Sequence, residues 1–409
     1  LLDSNSRISL SNNDSGGTGG GDSTSGNTLF GFVAGNSISD GGIRNAIIGH
    51  GSGYNLDVGT DNILIGKASG YTMESEIGNV IIGNEAGEHI RHDSSDHNVF
   101  IGHQASTGGT GARTQSVAIG YRAWGNGGSA NNLGGSENVF IGAESGGGTW
   151  ATAASDGNTA VGWNTMKGAM NGAGLNTAVG KNALLALTEG DRNVAIGADA
   201  GKAITTANRN TAIGYQALYS EDADGDRTVA IGHQALYSQN GGTEAMGNTG
   251  VGYISGFYNV TGTANTYVGY GSGTGASGNS HSNNTAIGYK CLEAVTTGSG
   301  NTALGMGSGD SITDGHDNVI IGVGAGNATT TVGEATIVGR KACQAIMTAD
   351  ADGTVAVGYE ALNALTSGAG NTAVGYESGT SITTGVRNTL LGHQSGDGMT
   401  VGEDNVAVG

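Results

Sequence analysis

The chain has 409 residues, a formal net charge of −19, 81 glycines, no proline and 5% aromatic residues. This composition excludes a collagen triple helix, which requires Gly at every third position and abundant Pro. The negative charge argues against nucleic acid and against an anionic membrane as partners, because both would repel it. No apolar run has the length of a transmembrane helix, so membrane insertion is not expected.

The sequence predicts two parts in the chain. Residues 1–26 are predicted to form a short N-terminal strand followed by a Gly/Ser-rich linker. Residues 27–409 are predicted to form a continuous β-roll repeat array with 17 to 22 residues per unit. The array stops at Gly409 in mid-repeat, and a solenoid needs a cap or a continuation there, so we expect further sequence beyond this residue.

Each repeat is marked by one glycine that closes an apolar triplet, and this glycine is given position 0 below. Its spacing is typical of a solenoid. The glycine occurs 22 times, at residues 31, 49, 66, 83, 102, 120, 142, 162, 180, 197, 214, 232, 252, 269, 288, 305, 322, 339, 358, 375, 392 and 409.

The phrase from Asn210 to Leu218 shows the repeat most clearly. Asn precedes the glycine by four residues in 18 of the 22 repeats. The β-branched triplet predicts a short strand at positions −3 to −1, and positions +1 to +4 predict a second strand or a turn. Because Asn and Gly favour turns, Asn210, Gly214, Asn193 and Gly197 are interpreted as structural corners.

The triplet also suggests which way its side chains point. Neighbouring side chains alternate between the two faces of a strand, so positions −3 and −1 share one face. Position −1 is large and apolar, as at Ile213, whereas position −2 is often small, as at Ala212. We therefore expect positions −3 and −1 to fill the coil and position −2 to face a closely packed second layer. A strand buried on both faces indicates a partner chain.

Several repeats resemble those of known families. Residues 193–197 read Asn-Val-Ala-Ile-Gly, and residues 116–120 and 405–409 are close variants. These segments resemble the head repeats of trimeric autotransporter adhesins, which build a left-handed parallel β-roll. The longer phrase Asn-Thr-Ala-Ile/Val-Gly-Tyr-Gln-Ala-Leu is similar to the repeat arrays of phage tail fibres and related virion appendages.

The resemblance implies an all-β parallel solenoid of about 22 coils, assembled as an elongated homotrimeric fibre. It further implies a structural or adhesive role in a virion surface appendage, with a host cell-surface receptor or glycan as the partner. The head of a bacterial trimeric autotransporter-type adhesin at the cell surface fits the same repeats, although the sequence shows no apolar heptads and no membrane anchor. The repeats are also compatible with an ice-binding solenoid, since Thr is frequent at position −3, and with a polysaccharide-degrading tailspike.

Three aspartates at alternating positions, Asp222, Asp224 and Asp226, form a candidate calcium site. Hard cations take several oxygen ligands, which such spacing can provide. A solvated spacer rich in turn residues is the competing interpretation. No other cofactor is indicated.

The three tryptophans are candidate ligand-binding residues. Trp124, Trp150 and Trp163 fall within 40 residues, and aromatic rings beside a lengthened loop can stack on a sugar. Packing inside the core is the competing interpretation. No nucleophile elbow, phosphate loop or zinc helix occurs in its required context, so the chain is not expected to be an enzyme.

Overall fold

The computed structural model of the protein describes residues 26–39, 41–90, 94–108, 111–125, 134–150, 153–222, 225–241 and 246–409. The N-terminal segment predicted at residues 1–26 lies outside this part, apart from its last residue. The chain is an all-β parallel β-solenoid of about 21 turns, and it comprises two compact units, residues 1–206 and 207–409. Among the described residues no helix is long and apolar enough to cross a membrane.

The first unit is built from very short strands. They are β1 (Thr28–Phe30), β2 (Ala46–Ile48), β3 (Ile63–Ile65), β4 (Val80–Ile82), β5 (Val99–Ile101), β6 (Arg113–Thr114), β7 (Val117–Ile119), β8 (Gly135–Ser136), β9 (Val139–Ile141), β10 (Thr159–Val161), β11 (Thr177–Val179) and β12 (Val194–Ile196). All except β6 and β8 hold an apolar triplet. Those two form a small separate parallel sheet.

The second unit contains one apolar triplet strand in every coil. The strands are β13 (Thr211–Ile213), β14 (Val229–Ile231), β15 (Thr249–Val251), β16 (Thr266–Val268), β17 (Thr285–Ile287), β18 (Thr302–Leu304), β19 (Val319–Ile321), β20 (Thr336–Val338), β21 (Val355–Val357), β22 (Thr372–Val374), β23 (Thr389–Leu391) and β24 (Val406–Val408). Among the described residues of the second unit, helical structure is limited to one 3-10 turn at Ala349–Ala351.

Within each unit the triplet strands pair in parallel, and equivalent positions lie opposite each other. In β13 and β14, for example, Thr211 is the partner of Val229 and Ala212 is the partner of Ala230. Because every coil repeats the same residue types, rows of similar side chains run along the stack. The β-branched residues of the triplet suit this pleated surface.

The glycine at position 0 lies where successive coils approach most closely. Gly214 has a φ of +132°, and a Cβ atom placed on it would lie 2.4 Å from the carbonyl oxygen of Gly232 in the next coil. Both the backbone conformation and the lack of space therefore require glycine. Gly197 in the first unit adopts the same conformation, with a φ of +135°.

The asparagines at position −4 form a buried ladder. The side-chain oxygen of Asn176 accepts hydrogen bonds from the backbone amide and the side-chain amide of Asn193, at 2.8 and 3.1 Å. In the second unit the side-chain oxygen of Asn210 accepts a 2.9 Å hydrogen bond from the backbone amide of Thr228. Many of these side-chain amides also donate to a spacer carbonyl, as Asn62 does to Glu76 at 2.8 Å. The ladder thereby ties each corner to the next coil and to its own spacer.

Positions +1 to +4 form a turn and not a second strand. Gln216 and Leu218, at positions +2 and +4, have φ values of 53° and 50°, in the left-handed region. Two left-handed residues so close together are incompatible with extended backbone. The backbone amides of this turn still bond along the stack, as Leu218 does to the carbonyl of Ala235 at 3.0 Å.

The face assignment inferred from the sequence is reversed in the structure. Side chains at position −2, such as Ala212 and Leu64, are buried inside the coil. Ile287 and Leu304, at position −1, are 39% and 46% exposed, so positions −3 and −1 point outward. Ala at position −2 is small because side chains from other parts of its own coil occupy the interior, and no second layer is needed to explain it.

In many coils the interior volume is divided between positions −2 and +4. Both positions are small in Ala195 and Gly201, Gly250 and Gly256, Ala303 and Gly309, and Ala373 and Gly379. Large residues at −2 face glycine at +4 in the pairs Ile47 and Gly53, Leu64 and Gly70, Ile81 and Gly87, Phe140 and Gly146, Tyr267 and Gly273, Ile320 and Gly326, and Leu390 and Gly396. The opposite arrangement occurs in Ala118 and Trp124, Ala160 and Met166, Ala178 and Leu184, Ala212 and Leu218, Ala230 and Leu236, Ala286 and Leu292, and Ala356 and Leu362. Either combination keeps the interior close-packed.

Candidate functional surfaces

The outward face of the triplet strands is an apolar surface that repeats from coil to coil. Large apolar residues at positions −3 and −1 are more than a third exposed at Ile48, Ile63, Ile141, Val179, Ile196, Ile287, Leu304, Val319 and Leu391. We call this surface, within each unit, the strand face. Since parallel sheets are usually covered on both sides, an open strand face of this kind indicates a binding surface.

Threonines form a row along part of the strand face in the second unit. Thr249, Thr266, Thr285 and Thr302 lie in register in four successive strands, β15 to β18. Each stands next to an outward Val, Ile or Leu two residues later. The row combines hydroxyl and methyl groups at regular spacing on one flat surface.

A ladder of aromatic rings follows the corner glycines at position +1. In the second unit Tyr215, His233, Tyr253, Tyr270 and Tyr289 pack ring against ring, with successive centroids 4.9 to 5.2 Å apart. His233 thus occupies a flat slot between two tyrosines. Tyr359, Tyr376 and His393 form a second run of the same kind, with centroids 5.1 Å apart in both pairs.

The ladder is interrupted between Tyr289 and Tyr359. Met306 and Val323 replace the rings at position +1, and Gly307 and Gly324 follow them at position +2. Other coils place larger side chains there, such as Gln216 and Gln234, whose side chains hydrogen-bond to each other at 2.9 Å. The loss of rings and side chains in two successive coils opens a depression of about 390 Å³, which we call the notch.

The notch has a chemically distinct wall at each end. Tyr289 and Lys290 form one end, and Arg340 and Lys341 form the other. The Lys290 ammonium lies 3.0 Å from Glu293, and that of Lys341 lies 3.8 Å from Glu360. The guanidinium of Arg340 lies 5.8 Å from the ring centroid of Tyr359, and it makes no ion pair with the described residues.

Polar side chains line the notch on a third side. Asp310, Asn327 and Gln344 stand at position +5 of three successive coils. Burial raises the pKa of the Asp310 carboxyl above its usual range, and Ser311 donates a 3.2 Å hydrogen bond to it. Among the described residues, the notch therefore combines an aromatic ring, two apolar side chains, amides, a carboxyl and one cation without an anionic partner.

The tryptophans do not come together on one surface. The indoles of Trp124 and Trp150 are fully buried, with ring centroids 5.3 Å apart, and they pack on Phe140. Trp163 is 49% exposed, and the ammonium of Lys181 lies 4.8 Å from its ring centroid. A buried ring has no face to offer a sugar, so Trp124 and Trp150 are assigned to the core and not to the ligand patch expected from the sequence.

Arg113 is buried beside this aromatic cluster, although nothing in the repeat pattern marks this residue. Its guanidinium carbon lies 5.0 Å from the ring centroid of Trp124, and it donates a hydrogen bond to the carbonyl oxygen of Gly108. Burial lowers the pKa of Arg113 to about 10. The contact with the indole ring offsets part of the free-energy cost of burying this cation.

The aspartates of the candidate calcium site are used partly for internal contacts. The carboxylate of Asp226 accepts a 2.5 Å hydrogen bond from the backbone amide of Asn208. Next to Asp222, the buried carboxylate of Glu221 accepts a 2.9 Å hydrogen bond from the amide of Gly225. Asp224 lies outside the described residues. Among the residues that the structure describes, no three His, Cys, Asp or Glu side chains are arranged to hold a metal ion.

The two cysteines are buried free thiols. Cys291 and Cys343 lie in the coil interior and form no disulfide. Burial raises the pKa of the Cys291 thiol to about 12, and it raises that of Cys343 as well. Since the thiolate is the reactive form, these residues are packing elements and not nucleophiles.

Comparison of the chain with protein-family models and with curated protein sequences found no match.

Proposed function

We propose that the protein is a structural and adhesive segment of a homotrimeric fibre, of the type found in phage tail fibres, displayed on the surface of a virion and contacting a host receptor. The observation that supports this most directly is the strand face. It presents a large apolar side chain such as Ile287 or Leu304 to the exterior at each step of a regular stack.

The extent of the strand face favours an assembled state. Soluble monomers rarely expose contiguous apolar patches larger than a few hundred Å². Triplet strands repeat twelve times in the second unit alone, and outward apolar residues of this face such as Leu304 and Leu391 are about half exposed. When the strand faces of several copies pack against each other, this surface is buried and no other protein is needed to cover it.

Three copies suit a strand face that forms one side of each unit. Copies related by rotation about a shared axis bring their strand faces together at that axis, and the arrangement closes without free binding surfaces. Covering the strand face in this way leaves the ladder rings available at the outside. The similarity of the repeat to trimeric β-roll heads and tail-fibre arrays supports the number three.

The proposal assigns the chain a display role and no catalytic one. A rod of this kind holds a binding tip, or binding surfaces along its sides, away from the particle. Three chains in one fibre raise the overall binding affinity even when each contact is weak, because the second and third contacts form within an already bound molecule.

Sedimentation equilibrium of the purified chain tests the assembly. The expected mass is three times the 40.3 kDa of one chain. A mass of one chain across the micromolar range would reject the fibre proposal. A bacterial adhesin head shares the trimer, and a gene that also encodes a heptad stalk and a membrane barrel would favour an adhesin over a virion fibre.

An ice-binding solenoid is the second candidate, and the threonine row supports it. Thr249, Thr266, Thr285 and Thr302 place hydroxyls on a flat, outward surface. Ice binding requires that surface to be free, so a monomer that inhibits ice recrystallisation would establish this function. A trimer without such inhibition would exclude it.

A further inference from the structure

We propose that the notch binds an oligosaccharide that carries a single carboxylate, with one sugar ring against Tyr289 and the carboxylate of another sugar residue on Arg340. The proposal deepens the adhesive role and rests on it, because a fibre that contacts a host must recognise a surface molecule somewhere along its length. The shape, the wall chemistry and the charge of the notch all support this ligand class.

The shape follows from two consecutive departures from the repeat. Gly307 and Gly324 both have φ values near 60°, the conformation of the Gln or Lys found at position +2 elsewhere. A Cβ atom on Gly324 would meet no atom within 4 Å. The backbone there could hold a side chain as other coils do, so the open space comes from the residue type alone.

The size of the notch matches a small ligand. Its volume of about 390 Å³ falls within the range of about 300 to 1,000 Å³ that is usual for small-molecule sites. From the coil of Tyr289 to the coil of Arg340 there are three steps, which span about 14 Å at ~4.8 Å per step. An extended, flat ligand that follows the stack therefore fits better than a compact one.

The walls suit the amphipathic surface of a sugar. Tyr289 is half exposed and is the last ring of a continuous stack, so the stack holds its orientation before any ligand arrives. Met306 and Val323 continue the apolar surface. Asn327 and Gln344 present amides, which can donate to and accept from hydroxyl groups. A few polar groups on an otherwise apolar surface are typical of small-molecule sites.

The charge of the notch selects a carboxylate. Lys290 and Lys341 are offset by Glu293 and Glu360, whereas Arg340 makes no ion pair with the described residues. A guanidinium binds a planar carboxylate through two parallel hydrogen bonds. Asp310 would repel a carboxylate, but it lies two coils from Arg340, or about 10 Å along the stack. The ligand is thereby oriented, with its carboxylate at Arg340 and its hydroxyls toward Asp310.

The experiment uses the full chain on an array of oligosaccharides with and without a terminal carboxylated sugar. Binding of a carboxylated saccharide by the wild type, followed by calorimetry on the best binder, is the expected result. Arg340→Gln is expected to weaken that binding about tenfold or more and to abolish the preference over the neutral analogue. Lys181→Gln is the matched control, because Lys181 also stands at position +1 beside an aromatic ring but outside the notch.

Two further variants fill the notch with side chains that other coils carry. Gly324→Gln and Val323→Tyr are expected to eliminate binding while the unfolding midpoint stays within a few degrees of the wild type. Gly51→Gln makes the same change at position +2 in the first unit and is expected to leave binding intact. The proposal is overturned if no carboxylated saccharide binds, or if a folded Gly324→Gln protein binds as well as the wild type.

This test is separable from that of the fibre. A chain that sediments as a monomer and binds the saccharide would reject the fibre and retain the notch site. A trimer that binds no carboxylated saccharide would reject the notch site and retain the fibre.

Discussion

A Cβ atom on Gly70 would lie 3.1 Å from the Cδ2 atom of Leu64, so the missing side chain of Gly70 makes room for the leucine. Ala212 and Leu218 occupy the same two positions in the opposite order of size, and both are buried. Position −2 and position +4 therefore share one volume. In these two coils the residues at the two positions are complementary in size.

This shared volume predicts a compensating pair of mutations. Ala212→Leu is expected to overpack the coil and to lower the free energy of unfolding by about 1 to 3 kcal/mol. Leu218→Gly is expected to lower it by about 3 to 5 kcal/mol through the cavity that it leaves. The double variant reproduces the Leu64 and Gly70 arrangement, so it is expected to recover stability to within about 1 kcal/mol of the wild type.

Chemical denaturation followed by circular dichroism measures all three variants. The control combines Ala212→Leu with Leu362→Gly in a distant coil, where the two losses are expected to add. Simple additivity in the Ala212 and Leu218 pair would show that the volumes are not shared.

Because of the asparagine ladder, a single substitution within it is expected to lower the free energy of unfolding considerably. Asn62→Ala removes the oxygen that accepts the backbone amide of Asn79 at 3.0 Å. It also removes the 2.8 Å hydrogen bond to the carbonyl of Glu76. Both partners are buried, so a loss of about 2 to 4 kcal/mol is expected. Asn240→Ala, at an exposed spacer residue, is expected to change stability by less than about 0.5 kcal/mol.

Hydrogen exchange locates the effect of Asn62→Ala. Amides of the coils on either side are expected to lose protection, while those of the second unit keep theirs, because repeat proteins gain stability from nearest neighbours. Unchanged protection at the amide of Asn79 would contradict the role assigned to the ladder.

Much of the fold is predictable from the sequence because the repeat recurs so regularly. Which face of the triplet strand points into the coil is not predictable in this way. The corner glycine and the asparagine were visible because each recurs at a fixed distance from the triplet. Position −1 and position −2 are both apolar, so alternation could not separate the inner face from the outer one. The small size of Ala212 suggests contact with a second layer, whereas in the structure the buried side chain of Leu218 accounts for it. Reading positions −2 and +4 together, as in Leu64 and Gly70, would have identified the inner face from the sequence.

The candidate sites were less predictable for a related reason. Trp124 stands at position +4, opposite Ala118, and the volume rule would have assigned it to the core. The notch is defined by glycines at position +2, and in a chain with 81 glycines two more are inconspicuous. Only the structure shows that Gly307 and Gly324 lie side by side between Tyr289 and Arg340.

Substitution of a corner glycine by any larger residue is expected to destabilise the fold strongly. Gly214→Ala would place a Cβ atom 2.4 Å from the carbonyl oxygen of Gly232, at a φ of +132°. Backbone strain and the clash together are expected to cost about 3 kcal/mol or more. Gly398→Ala is the control, since a Cβ atom there meets nothing within 4 Å. Thermal unfolding is the measurement, and equal midpoints for the two variants would contradict the close-approach argument.

The strand face predicts variants that separate the chains without unfolding them. Ile287→Asp combined with Leu304→Asp introduces charges into the proposed interface and leaves the coil interior unchanged. The sedimentation mass is expected to fall from three chains to one, with a retained β-sheet spectrum. Ile346→Asp with Val401→Asp alters two apolar residues that are more exposed and lie away from the strand face, and the trimer is expected to persist. Persistence of the trimer in the first variant would place the interface elsewhere.

The buried pair Tyr267 and His281 predicts a loss of stability in weak acid. The hydroxyl of Tyr267 lies 2.6 Å from Nδ1 of His281, and burial lowers the pKa of His281 from 6.5 to about 4. Between these two values the unfolded chain binds a proton that the folded chain does not, so stability falls as the pH falls from about 6.5 to about 4. The linked free energy is about 3 kcal/mol over that window and constant above it.

Comparison with His281→Gln isolates this contribution from that of the carboxylates. The variant cannot titrate at this position, so it is expected to be less stable than the wild type at pH 7.5 and to lose less stability on acidification to about pH 4.5. Hydrogen exchange in β16, which contains Tyr267, gives the local free energy at each pH. His393→Gln alters an exposed ring and is expected to follow the wild-type pH dependence. Parallel curves for the wild type and His281→Gln would mean that the buried imidazole does not set this acid sensitivity.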